Sequence, residues 1–425
     1  MKLLVEGSNL RGAVRIPGSK SHTIRAVAIS ALADGVSVIR QPLDSADARA
    51  AFRAYRGLGA AIEDAGELWR VHGTGGALRV PDDVIDVANS GTTMNVALGS
   101  AALLTSGTAV LTGDEQVRRR PCGVLEASLN DLGATVRATR GNGCPPFVVQ
   151  GRLRGGDTTM EAMSSQYVTS LLINAPLGDG DTRLRVPVLH EVPYVHMTLA
   201  WLRRAGIRVE HAEDLSEFHI PGGQAYPPVD CVIPADFSSA TFFLAAGALP
   251  ENEVTALGLD MGDPQGDKAV VDYLRAMGAA VHVAEDGIRV AAGRLDGREI
   301  DLNATPDALP MMAVLGCFAR GETRLVNVPQ ARFKETDRIT AMREELTRLG
   351  ARIEELEDGL VVHESALRPA EVDGRGDHRI VMALAVAATG LPGVTTIHGF
   401  EAVNVTFPTF IESLNALGAK TRLIT

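Results

Sequence analysis

One phrase recurs six times along the chain and constrains its fold more than any other feature. In outline it reads Leu-x-x-Leu-Gly-Ala-x-Val, with its glycines at Gly59, Gly133, Gly206, Gly278, Gly350 and Gly418, spaced 74, 73, 72, 72 and 68 residues apart. Leu129-Asn-Asp-Leu-Gly-Ala-Thr-Val and Tyr55-Arg-Gly-Leu-Gly-Ala-Ala-Ile are two of the copies. A glycine just past a helical stretch, followed at once by alternating apolar residues, marks a helix C-terminus feeding a β-strand. The period exceeds that of solenoid repeats and suits an α/β unit that shares a lobe with others like it.

Each copy carries the same earlier pieces. A long apolar run predicts a buried helix: Ala26–Leu32, Thr93–Leu104, Val168–Leu177, Ala240–Leu249, Leu309–Ala319 and Ile380–Thr389. A short strand follows most of them, as in Gly35-Val-Ser-Val-Ile, Gly107-Thr-Ala-Val-Leu and Gly393-Val-Thr-Thr-Ile. With 425 residues, one core is too few, and six copies divide into three per domain. The Pro/Gly-rich stretch Gly222–Pro234 between the third and fourth copies reads as the linker. The opening strand Lys2–Val5 lies outside the first copy and is expected to cross over and complete the C-terminal lobe. The expected domains are therefore 1–17 with 234–425, and 18–233, with chain crossings near residues 16–18 and 232–235 forming a hinge.

The net charge of −11 argues against a general nucleic-acid binder but leaves room for a local cationic pocket. Cys122, Cys144, Cys231 and Cys317 show neither CxxC nor metal-ligand spacing, so four free thiols and no metal are expected. The start Met-Lys-Leu-Leu-Val-Glu-Gly has no apolar leader, and runs such as Ile380–Leu391 are too short to span a bilayer. A cytoplasmic protein is expected.

The repeat turns scattered polar residues into equivalent positions. At the starts of the apolar helices stand Ser19-Lys20-Ser21, Asn89-Ser90-Gly91-Thr92, Ser164-Ser165-Gln166, Asp236–Ser239, Pro306-Asp307 and Gly376–Arg379. In the later loops stand Asp44–Asp47, Arg118–Arg120, Glu191–Tyr194, Asp263–Lys268, Lys334–Arg338 and Asn404–Thr406. Helix starts gathered on one rim attract anions through free N–H groups and the positive dipole end. Lys20 resembles the lysine of a nucleotide P-loop, but the glycines that motif needs are missing. Asp236 reads first as an N-cap, and His378 as a structural histidine. Gly91 in a first turn allows close backbone approach by a ligand. Lys334 and Arg338 at i,i+4 would repel on one helix face, and so read as an anion clamp.

Taken in order, Gly18-Ser-Lys-Ser…Arg25, Asn89-Ser-Gly-Thr, Arg120-Pro121, Ser164-Ser-Gln, Pro306-Asp307, Lys334-Glu-Thr-Asp-Arg338 and Gly376-Asp-His-Arg379 resemble the enolpyruvyl transferase family over essentially the whole chain. The resemblance implies an α/β fold of two inside-out lobes, three repeats each, closing over their substrates. It implies transfer of the enolpyruvyl group of phosphoenolpyruvate to the 5-hydroxyl of shikimate 3-phosphate, a step toward aromatic amino acids. No metal or organic cofactor is implied, and the enzyme is expected to act as a monomer on small molecules, without nucleic acid or membrane. Carried over by position, Asp307, Glu335 and Lys20 would do the acid–base work. Lys20, Ser21, Arg25, Ser164, Ser165, Gln166, Tyr194, Asp307, Gln330 and Lys334 would bind shikimate 3-phosphate. Lys20, Asn89, Gly91, Arg120, Gln166, Arg338 and Arg379 would bind phosphoenolpyruvate, and Gly91 is also where a larger residue crowds the inhibitor glyphosate.

The chain departs from the family pattern at four places. Asn95 stands for an arginine, Gln330 for an asparagine and Val405 for a lysine, while Glu191 replaces a serine that commonly contacts the 3-phosphate. An anion at 191 would repel a phosphate unless it points away. Two related readings therefore stay open: a transferase for a different, unphosphorylated cyclic alcohol, and the branch acting on UDP-N-acetylglucosamine. That branch opens with Lys-Asn and places a reactive cysteine where this chain has Glu115. RNA 3′-phosphate cyclases share the repeat type, but the acidic chain has no basic groove.

Overall fold

The computed structural model describes residues 1–424. The chain forms two units, Met1–Pro17 with Pro234–Thr425, and Gly18–Ile233, each with its own continuous apolar core. Unit Gly18–Ile233 carries helices α1 (Lys20–Leu32), α2 (Ala46–Gly57), α3 (Gly91–Ala101), α4 (Gly123–Asp131), α5 (Ser165–Asn174) and α6 (Val192–Arg204). The other unit carries α7 (Phe237–Ala248), α8 (Val270–Met277), α9 (Leu309–Phe318), α10 (Arg338–Arg348), α11 (His378–Thr389) and α12 (Phe410–Ala416).

The odd-numbered helices are the apolar runs of the sequence and are buried nearly all round. Every residue of α7 and of α11 is buried, as is α1 from His22 onward. A helix without a polar face belongs in the interior. The even-numbered helices are two-sided: α2 buries Ala48, Ala51, Phe52 and Tyr55 and exposes Arg53 and Arg56. The strands alternate, as in Thr182–Leu189, where Thr182, Leu184 and Val186 face inward. Each unit thus wraps sheets around a helical centre.

Six four-stranded sheets share one plan, a parallel first pair followed by antiparallel neighbours. Three of them borrow a strand from far along the chain. Lys2–Glu6 lies antiparallel between Val394–His398 and Lys420–Ile424, in the third position of its sheet. Asp230–Val232 runs parallel to Val36–Arg40, in the first position of its sheet. The stretch Gly222–Pro234 is therefore more than a linker. Tyr226 is buried and donates its hydroxyl to the Ile173 carbonyl at 2.7 Å, and the Val229 amide donates to Ser37 Oγ at 3.0 Å. Its Pro/Gly content hid a strand because the partner lies about 190 residues away in sequence. Arg11–Arg15, unread in the sequence, pairs in parallel with Glu253–Leu257. Among the described residues, no helix is long and apolar enough to cross a membrane.

All six repeat glycines have positive φ, from 70° at Gly206 to 108° at Gly59. The left-handed region costs an L-residue about 1–2 kcal/mol, which is why the phrase keeps glycine. The cost differs with surroundings. A Cβ at Gly278 would lie 2.6 Å from the Arg294 carbonyl oxygen, whereas at Gly350 the nearest atom, the Ala366 oxygen, is 3.6 Å away. Gly350→Ala should lower the unfolding free energy in urea titration by the conformational cost alone, about 1 kcal/mol. Gly278→Ala should lower it clearly further; equal shifts would show that the carbonyl yields freely.

Candidate active site

In unit Gly18–Ile233 the starts of α1, α3 and α5 hold the polar residues together. The N-cap of α1, Ser19, makes no capping bond, and its buried hydroxyl has no partner. The first turn of α1 is thus left open to an anion. Lys20 Nζ pairs with Asp47 Oδ2 at 3.1 Å, and both side chains are largely buried. Trp201 Nε1 donates to His22 Nδ1 at 2.9 Å, fixing α1 against α6.

Arg25 is 2% exposed, and every partner it has is neutral. It donates to Thr198 Oγ1 at 2.9 Å, the Ser21 carbonyl at 3.0 Å, the Tyr194 carbonyl at 3.1 Å and Thr169 Oγ1 at 3.2 Å. Burial brings its pKa down to about 10, against a small opposing pull from Tyr194. A buried cation without a counter-charge is costly and suits a residue that receives an anionic ligand.

At α3, a Cβ on Gly91 would lie 2.5 Å from Arg120 Nη1, so the glycine makes room for the guanidinium. Asn89 Nδ2 donates to Asp114 Oδ2 at 2.7 Å and to Gln116, tying the loop that carries Arg120 to this helix start. Of the three neighbouring arginines, Arg119 pairs with Glu115 at the surface and Arg118 bonds the Gly113 carbonyl. Arg120 alone turns to Gly91. Asn95 donates to the Gly91 carbonyl at 3.0 Å and to Gln166 Oε1 at 2.9 Å.

At α5, Ser164 and Ser165 do not stand open. The buried Glu191 carboxylate accepts from Ser165 Oγ at 2.8 Å, Ser165 N at 3.2 Å and Ser164 Oγ at 3.4 Å. Instead of pointing away, this anion occupies the helix start. Tyr194 is half-buried one turn further on.

In the other unit the site is an ion cluster. Arg338 donates to Asp377 Oδ2 at 2.8 Å, Asp307 Oδ1 at 2.6 Å and Glu335 Oε2 at 2.6 Å. Arg379 Nη2 reaches Asp307 Oδ2 at 2.9 Å. Burial opposes the Arg338 charge, but Asp377, Glu335 and Asp307 outweigh it and hold its pKa above the ordinary value. Burial, with Glu335 nearby, pushes the Asp377 carboxyl up despite Arg338. Asp377 also caps α11, accepting from Arg379 N at 2.8 Å.

The expected pairing of Lys334 with Arg338 on one helix face is not what forms. Asp337 caps α10 through Ile339 N and Thr340 N, so the helix begins at Arg338 and Lys334 lies before it. Gln330 is buried and donates to the Asn303 carbonyl at 2.9 Å, leaving its Oε1 without a partner. Asp236 accepts from Ser239 N at 3.0 Å and is the cap it resembled. Val405 is half-buried, and His378 is buried beside Asp377. Asp47, Thr169, Thr198 and Asp377 were not read as site residues. Asp377, beside His378, and Asp47, in the charged loop Asp44–Asp47, left a signal in the sequence, and the two threonines left none. The four cysteines are free and buried, and burial first of all pushes the Cys122 thiol up to about 12, so it is no nucleophile at neutral pH.

A family model described as EPSP synthase (3-phosphoshikimate 1-carboxyvinyltransferase) matches residues 4–414. The chain is 50% identical over 424 residues to 3-phosphoshikimate 1-carboxyvinyltransferase of Ruminiclostridium cellulolyticum, covering 100% of both chains. It is 52% identical over 419 residues to the protein of that name in Acetivibrio thermocellus, covering 99% of each. A solved structure of EPSP synthase from Acinetobacter baumannii superposes with a TM-score of 0.83 at 25% identity, covering 99% of this chain and 100% of the other.

The two buried arginines should respond oppositely to loss of charge. Arg338→Met leaves the fully buried Asp377 without its cation and should cost roughly 3–5 kcal/mol in thermal unfolding. Arg25→Met removes a cation that has no counter-charge and should leave the midpoint unchanged or raised. Equal losses would mean that Arg25 serves the fold as much as Arg338 does.

Proposed function

The chain belongs to the EPSP synthase family, and we propose that it transfers the enolpyruvyl group of phosphoenolpyruvate to the 5-hydroxyl of shikimate 3-phosphate through the residues described above. The observation that carries this assignment is Asp307, set between the guanidiniums of Arg338 and Arg379 with Glu335 on the same Arg338. One cluster thereby holds both carboxylates the reaction needs and two of the cations that would take phosphoenolpyruvate.

Unit Gly18–Ile233 contributes Lys20, Gly91, Arg120 and Gln166 toward phosphoenolpyruvate, and Ser21, Arg25, Ser164, Ser165 and Tyr194 toward the acceptor. The carboxylate and phosphate of phosphoenolpyruvate compete with Asp307 for Arg338 and Arg379. Once released, Asp307 takes the proton of the 5-hydroxyl, while Glu335 with Lys20 delivers a proton to the methylene carbon. The resulting positive charge at the enol carbon is attacked by the hydroxyl oxygen, giving a tetrahedral intermediate. Loss of a methyl proton and cleavage of the carbon–oxygen bond to phosphate then leave the enol ether and inorganic phosphate. The cations act by electrostatic preorganisation around an anion whose charge shifts during the reaction. The sequence balances without an organic cofactor. We further place the enzyme in the cytoplasm as a monomer, with Lys334 and Gln330 near the acceptor; the four reduced, buried thiols support the compartment. A second reading, an acceptor lacking the 3-phosphate, is favoured only by Glu191 standing on Ser165.

Phosphate release from phosphoenolpyruvate decides between them. It should occur with shikimate 3-phosphate and not with shikimate alone; no release, or equal release with both, overturns the main reading. Asp307→Ala should bind both substrates and lose at least about 100-fold in kcat, and a near-normal rate would place the base elsewhere. Gly91→Ala pushes only on the flexible end of Arg120, so it should fold normally. Its KM for phosphoenolpyruvate should rise about tenfold, and an unchanged KM would remove Arg120 from that site.

A further inference from the structure

We propose that Glu191 sets how tightly the enzyme holds the acceptor phosphate: its carboxylate is a built-in anion on the donors a 3-phosphate needs, and shikimate 3-phosphate must displace it. The proposal rests on shikimate 3-phosphate being the acceptor. Its basis is the local geometry at α5. Glu191 Oε2 takes the Ser165 amide, the Ser165 hydroxyl and the Ser164 hydroxyl together, and the residue is 2% exposed. An anion already satisfies the helix start, so an incoming phosphate meets both a missing set of donors and a like charge.

The backbone that carries this carboxylate is tied to the start of α6. Glu191 has left-handed φ and ψ of 58° and 39°, is followed by Val192-Pro193 at the start of α6, and accepts the Tyr194 amide at 3.0 Å. Proline fixes its own φ and restricts the residue before it. Displacement therefore comes by rotation about the side-chain bonds of Glu191, which swings the carboxylate off α5 while the backbone stays. A serine at 191 would be a donor to the phosphate; glutamate turns that contact into competition. The enzyme thus discriminates phosphorylated from unphosphorylated acceptor less strongly than its serine pair alone would allow.

Calorimetry on the full chain tests this, titrating shikimate 3-phosphate and shikimate separately into wild type, Glu191→Ser and Glu191→Gln. Both variants should bind shikimate 3-phosphate at least about tenfold tighter, with shikimate affinity changed by no more than about twofold. Should Glu191→Ser not fold, Glu191→Gln keeps the side-chain length and one acceptor oxygen and stands alone. Unchanged or weakened binding of shikimate 3-phosphate overturns the proposal, as does an equal gain for both ligands, which would indicate general loosening of α5. Phosphate release by the wild type reports separately on the acceptor itself, so the two failures are distinguishable.

Discussion

The six odd-numbered helices are buried nearly all round, so the charged candidates gather at their starts, with Arg25, Asn95 and Thr169 about a turn further in. A side chain in the middle of α7 or α11 has nowhere to go but the core. Lys20, Gly91, Ser164, Asp307 and Arg379 all sit within a turn of such a helix start, where N–H groups lack intrahelical partners. The repeat multiplies this arrangement, so each unit comes with several anion-ready ends that differ only in their first few residues. Function here is a set of local edits to one recurring structural position.

Those edits fall into two electrostatic kinds. Arg338 is surrounded by carboxylates and belongs to a closed ion network, whereas Arg25 is buried among hydroxyls and carbonyls. The first arrangement carries its own counter-charges. The second leaves a favourable interaction unmade, which is how a fold stores affinity for a molecule it has not yet met. Glu191 is a third case, a helix start whose demand for negative charge is met from within the chain.

How far the sequence discloses this depends on the range of each interaction. The repeat glycines are legible because their chemistry is local: positive φ follows from the residue itself. The charged residues beside apolar runs, such as Lys20, Arg25 and Arg338, stand out for the same reason. Thr169 and Thr198 do not, since an inward hydroxyl on a buried helix looks like any other small residue until Arg25 is seen to reach it. The sequence leaves Lys334–Arg338 in the loop before α10 without saying where the helix begins, which the Asp337 side chain decides. The strand Asp230–Val232 escaped notice because three residues show no periodicity and their partner is in the first repeat.

The borrowed strands bear on how the chain can be made. Unit Gly18–Ile233 cannot close its first sheet until Asp230–Val232 has left the ribosome, and the other unit cannot close its last sheet until Lys420–Ile424 has joined Lys2–Glu6. During translation Lys2–Glu6 is an unpaired edge, tethered to a unit that can finish folding well before it is needed. That last sheet closes only when a strand from residues 2–6 meets strands more than 380 residues further along the chain.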